Sequence, residues 1–170
     1  MVIKMFKVGD IVKYGMNGIC TVTDITVRDF LGTEMEYYVL KTATGFESTF
    51  FVPVANEALT SKMQYLLSKE EAYSVIGDIN EGSIEWIEDD KERASIYGKL
   101  LTSKDRRDLL RLVSLLYMKK REFEAKGKKL HIADERIMNE AERIISDELS
   151  TVFGIKKSDV PAFIESHLNK

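Results

Sequence analysis

The stretch from Phe6 to Gly18, Phe-Lys-Val-Gly-Asp-Ile-Val-Lys-Tyr-Gly-Met-Asn-Gly, restricts the fold more than any other part of the chain. A Gly-Asp turn leads into a short run of strand-forming residues, and Gly18 closes a second turn. A long run rich in Thr, Val and Ile, Cys20 to Val27, follows directly. Glycine supplies backbone angles that other residues resist, and β-branched side chains fit a pleated surface. This is how a small, strongly bent β-barrel begins. Barrels of that size more often bind macromolecules than catalyse, so recognition is the expected business of this end of the chain.

The strand pattern continues to about Pro53, through Met35-Glu36-Tyr37-Tyr38-Val39-Leu40 and Thr49-Phe50-Phe51-Val52, with turn signals at Gly32 and Gly45. Four or five short strands joined by tight turns predict a curled barrel rather than a flat sheet. Pro53 and Asn56-Glu57-Ala58 end the pattern in a short bridging segment. Beyond Ser61 the period is helical, with no proline until Pro161. Ser68 and Glu71 form a capping box for a helix ending near Gly77. A second helix is expected from after Ser83 to about Leu101, and a third from Lys104 to near Ala125, capped by Ser103 and ended by Gly127. A fourth should run from Ala133 to Phe153 with Gly154 as its stop, and Ser158 opens a short last one. The fold class is therefore α+β: a barrel domain over residues 1–60 followed by an all-helical domain over 61–170.

With 170 residues the chain can bury a core in either half. Its single cysteine, Cys20, leaves no internal disulfide and fits a reducing cytoplasm; placed in a strand, it reads as a small core residue. No apolar run reaches the roughly 18 residues of a membrane span, and the N-terminus lacks a cleavage-site pattern. His131 and His167 have no metal-ligand spacing around them. Glu88-Asp89-Asp90 lacks the alternation and glycine of a calcium loop and suits a solvated helix start. Gly9, Gly15 and Gly18 lead into strands, which excludes a nucleotide-binding loop. A non-enzymatic protein without metal, cofactor or small-molecule substrate is expected.

A net charge of −3 conceals a division. Between Lys99 and Lys129, eleven basic side chains face four acids, a local balance of +7, whereas Glu70 to Glu92 holds nine acids and one lysine. On the third helix, Leu109, Leu112, Val113, Leu116 and Phe123 fall on one face, with Arg107, Arg111 and Arg121 opposite. Guanidinium groups behind an apolar stripe suit phosphate contact, and they equally suit a solvated face. Lys128 and Lys129 in the following loop favour a polyanion. Trp86, the sole tryptophan, has two readings: a core anchor, or an aromatic wedge for a base step in the minor groove.

Together these residues resemble the CarD/CdnL family of bacterial transcription regulators. Phe6-Lys7-Val8-Gly9-Asp10 with Val12, Tyr14 and Gly18 looks like the family's opening strand; Tyr38-Val39-Leu40 and Val52-Pro53 match later strands. Trp86 ahead of a basic helical region matches the C-terminal domain. The opening motif is shared with the transcription-repair coupling factor, a much larger helicase whose phosphate-binding loop is missing here. The resemblance implies a Tudor-like barrel that docks on the RNA polymerase β subunit, with Arg28, Val39, Phe51 and Pro53 at contact positions. It also implies a helical domain at the upstream edge of the promoter bubble, where Trp86 wedges into the minor groove and slows bubble collapse. Phe51 stands where some relatives have arginine or methionine, which makes that contact more apolar. Many relatives follow the tryptophan with a pair of arginines; here Ile87-Glu88-Asp89-Asp90 follows, and Arg93 falls opposite a family arginine.

The expected function is thus a cytoplasmic, polymerase-associated transcription regulator that stabilises the open promoter complex, its DNA contacts drawn from Trp86, Arg93, Arg107, Arg111, Arg121, Lys128 and Lys129. Two alternatives stand beside it: a stand-alone nucleic-acid-binding protein, and a protein adaptor with Trp86 buried in its bundle.

Overall fold

A computed structural model describes residues 5–43 and 45–168. The chain divides into two compact units, the first ending at Leu66 and the second beginning at Leu67.

The first unit is a five-stranded antiparallel sheet. Its strands are β1 (Ile11–Tyr14), β2 (Ile19–Phe30), β3 (Thr33–Thr42), β4 (Thr49–Pro53) and β5 (Met63–Tyr65), in the order β4-β3-β2-β1-β5. A single-turn helix, α1 (Glu57–Thr60), precedes β5 and is capped by the Asn56 side chain. The Gly-Asp turn works as its sequence demands. Gly9 takes a φ of 95°, and the Lys7 amide donates to the Asp10 carboxylate at 3.0 Å. Gly9 and Asp10 then exchange backbone bonds with Val22 at 2.8 Å each, which fixes where β2 passes. Val12, Cys20, Val22, Tyr38, Leu40 and Val52 form the core of one sheet face. β4 and β5 are the two outer strands and share no ladder among the described residues, so closure into the expected barrel is not seen in the pairing. β5 was not foreseen: it carries this unit past residue 60, because Tyr65, Gln64 and Met63 pair with Val12, Lys13 and Tyr14.

One irregularity decides which side chains face outward. The β2–β3 register slips between Val22 and Asp24, so Thr23 is an extra residue. Before the bulge the inward positions are Cys20 and Val22; after it Ile25 packs on the core. Side chains alternate along a strand, so one added residue moves Thr26, Arg28 and Phe30 to the face opposite the core.

The second unit is all helical: α2 (Lys69–Gly77), α3 (Asp90–Leu100), α4 (Arg106–Ala125), α5 (Ile132–Phe153) and α6 (Val160–His167). Ser68 caps α2 by accepting from the Glu71 amide, and Gly154 ends α5 at φ 65°. Leu109, Leu112 and Leu116 of α4 pack with Ile76, Tyr97, Met138 and Ala141 in its core. Two starts differ from expectation. α4 begins at Arg106 with Asp105 as cap, because the Ser103 hydroxyl is taken by Asp108 at 2.6 Å. α3 begins at Asp90 and not after Ser83. Asp89 caps it, and the backbone of residues 85–88 is bonded to α3 side chains and so is held out of the helix.

Candidate protein-docking face and nucleic-acid interface

In the first unit, register places all four expected docking residues on one surface. Arg28 lies opposite Met35, Val39 opposite Phe51, and Tyr37 opposite Pro53. These pairs occupy the face turned away from the core. Phe30, Tyr37 and Phe51 contact one another edge-on, with centroids 5.3 to 6.4 Å apart. The Arg28 guanidinium lies 5.6 Å from the Phe51 centroid, within cation–π range. Val39 and Tyr37 are buried, Pro53 is half-buried, and Phe51, Phe30 and Met35 are exposed. An open groove of about 540 Å³ beside it is lined by Met35, Pro53, Ala55, Asn56 and Glu57. Phe30, Met35 and Tyr37 were missed in the sequence; only the bulge at Thr23 puts Phe30 on this side.

In the second unit, the segment from Asp78 to Trp86 runs alongside α4. At its start, Arg107 binds the Asp78 carboxylate at 2.6 Å, and Arg111 donates to the Asp78 and Ile79 carbonyls at 3.1 and 3.3 Å. The Arg111 guanidinium also lies flat on Gly82: a Cβ there would sit 2.8 Å from Cζ. The Asp78 bond, opposed by desolvation, raises the Arg107 pKa. Both arginines therefore hold the segment in place, a role the helical period could not reveal, since it shows which face they occupy but not what packs there.

Trp86 lies where this segment reaches the basic end of α4. It is half-buried, resting edge-on against Phe123 at 6.0 Å and close to Tyr97 at 6.4 Å. Two cations flank its ring: the Arg93 guanidinium at 4.3 Å and Lys119 Nζ at 5.3 Å. Neither the sealed anchor nor the free wedge describes it fully; one part packs on the core and the rest is open. Lys119 also pairs with Glu122 at 3.0 Å. It was missed as a site residue; its position four residues before Phe123 was the available signal.

Arg93 requires a correction. It is only 3% exposed, and all five of its N–H groups are used. Nε and Nη2 donate to the Asp134 carboxylate at 2.8 and 2.7 Å, and Nη2 also donates to Asp90 at 2.6 Å. Nη1 donates to the carbonyls of Ile87 and Glu88 at 2.8 and 3.2 Å. Bonding to Asp134 raises its pKa, against the cost of burial and with the help of Asp90. A guanidinium so engaged has no donor left for phosphate. Arg121, Lys128 and Lys129, by contrast, are exposed at the end of α4 and in the loop after it.

Among the described residues no helix is long and apolar enough to cross a membrane. No curated protein matches the chain. Residues 6–65 match the family model of the CarD-like/TRCF RID domain, a span that contains the whole five-stranded sheet and the Arg28–Phe51 face. That domain is a non-enzymatic module that interacts with RNA polymerase, and the match points to a polymerase-binding transcription factor. Its N-terminal unit thus carries a CarD-like/TRCF RID domain, which supports kinship with the CarD-like family.

Proposed function

We propose that this protein docks on the RNA polymerase β subunit through the outer face of its sheet and stabilises the promoter open complex through its helical unit. The first unit then serves as the family's Tudor-like docking domain, residues 1–60 and the short β5 together, with Arg28, Val39, Phe51 and Pro53 in the contact. Phe30 and Tyr37 extend that contact as an apolar cluster with one guanidinium at its edge. In the helical unit, Trp86 wedges into the minor groove at the upstream edge of the bubble. Lys119, Arg121, Lys128 and Lys129 bind flanking phosphates, while Arg107 and Arg111 keep the Trp86 segment against α4.

The observation that carries this reading is the half-open Trp86 ring, set beside Lys119 at the end of α4 where Arg121, Lys128 and Lys129 are exposed. A wedge needs an apolar ring open to the base step and cations beside it for the sugar–phosphate backbone. Two of the three acids that follow Trp86 have partners within the protein: Asp89 caps α3 and Asp90 binds Arg93.

The test is the lifetime of open complexes challenged with a competitor. Trp86→Ala should shorten it several-fold while binding to the β subunit is unchanged. Equal lifetimes would remove the wedge. The packing of Trp86 on Phe123 and Tyr97 favours one rival, an adaptor that makes no DNA contact. That reading expects the Trp86→Ala protein to leave lifetimes alone and to be merely less stable.

A further inference from the structure

The hydrogen bonds to the backbone around Trp86 form a bracket anchored on α3. The Tyr97 hydroxyl spans Trp86: it donates to the Glu85 carbonyl before it at 2.7 Å and accepts from the Ile87 amide after it at 3.3 Å. On the C-terminal side, Arg93 binds the carbonyls of Ile87 and Glu88. The backbone on both sides of Trp86 is thus fixed by two side chains one helical turn apart. The same Arg93 guanidinium lies against the indole ring, so it holds both the side chain and its backbone. Arg93 is held in turn by Asp134 of α5, a residue 1% exposed and 41 positions away in sequence.

Bonding on this scale is more than a surface tryptophan requires. Residues 82–89 have no helix or strand of their own, and free backbone of this kind would let the ring adopt many orientations. Two fully used donors and a buried carboxylate reduce these to one. We infer that Arg93 and Asp134 are positioning residues for Trp86: the ion pair presets the angle of the indole and does not itself touch DNA. This inference rests on the wedge reading for its consequence at a promoter, but the positioning itself can be observed without any promoter.

Trp86 is the only tryptophan, so its fluorescence reports on this site alone. Asp134→Asn leaves the side chain's shape and removes the charge that orients Arg93. The expected result is a red-shifted emission with acrylamide quenching raised about twofold as the segment loosens, while helix content is retained. Arg93→Lys should do the same, since an ammonium cannot supply five donors in one plane. Tyr97→Phe removes only a hydroxyl and should give a smaller change in the same direction; it decides the matter if the charged variants fail to fold. Unchanged emission and quenching in the variants that fold would overturn the inference. At a promoter, Asp134→Asn should shorten open-complex lifetime, and the Trp86→Ala protein should be insensitive to it. Two effects that simply add would show that the ion pair acts through stability and not through the ring. Loosened fluorescence with unaltered lifetimes would uphold the positioning and sink the wedge.

Discussion

Cys20 shows how one buried side chain becomes a measurable property. It sits fully buried at the start of β2, and desolvation pushes its thiol from 9.0 up to about 11. The folded state thus favours the protonated form. Its contribution is fully present below pH 9.0 and is lost as pH rises through about 11, because the unfolded chain ionises first. The stability lost over that window is about 2–3 kcal/mol. Denaturant titrations at pH 8 and pH 10.5 should show a steeper fall for the native chain than for Cys20→Ala, whose overall stability is lower but whose pH slope is flatter. At pH 7 a thiol reagent should label Cys20 only on unfolding. The same scale explains why Arg93 was misjudged: sequence gives its charge, but its partner Asp134 is supplied by a distant helix.

At the scale of elements, local signals were readable and distant pairings were not. Ser68 and Gly154 mark helix ends through bonds made within a few residues, and both stand where their chemistry places them. β5 is three residues long and exists only because β1 offers an edge some fifty positions upstream, so periodicity alone could not find it. The bulge at Thr23 leaves no composition signal either, yet it determines the outward face of the sheet. Gly82 is an intermediate case, a glycine that leaves room for the Arg111 guanidinium resting on it and whose own backbone angles any residue can adopt. Gly82→Ala should push the Arg111 guanidinium off the Asp78 and Ile79 carbonyls and cost about 1–2 kcal/mol in thermal or denaturant unfolding. In an Arg111→Ala background the same change should cost much less, since the obstructed group is gone.

For the whole molecule, charge is distributed by use. Two acids of the 70–92 region are paired with arginines, Asp78 with Arg107 and Asp90 with Arg93, while Arg121, Lys128 and Lys129 remain on the surface. A handful of phosphate contacts gives weak, salt-sensitive binding, and attachment to polymerase would raise the local DNA concentration enough to make it effective. Binding of the full chain to free duplex should therefore be poor and fall steeply with salt. Replacing Lys128 and Lys129 by Glu should weaken it on every sequence and flatten the salt slope by about one for each phosphate no longer neutralised. Tight duplex binding by the chain alone would favour an autonomous DNA-binding protein.

The β2–β3 connection ends on Leu31, bare to solvent and at a φ of 56° that suits asparagine or glycine far better. A branched aliphatic group kept in water on a left-handed backbone is a standing loss for the isolated protein, on the order of 1 kcal/mol. Leu31→Asn should accordingly raise the melting temperature. If the aromatic cluster next to it meets polymerase, the same substitution should speed dissociation, because only in the complex does this tip leave water. A gain in robustness coupled to a shorter residence time would mark the hairpin's end as a part shaped for its partner.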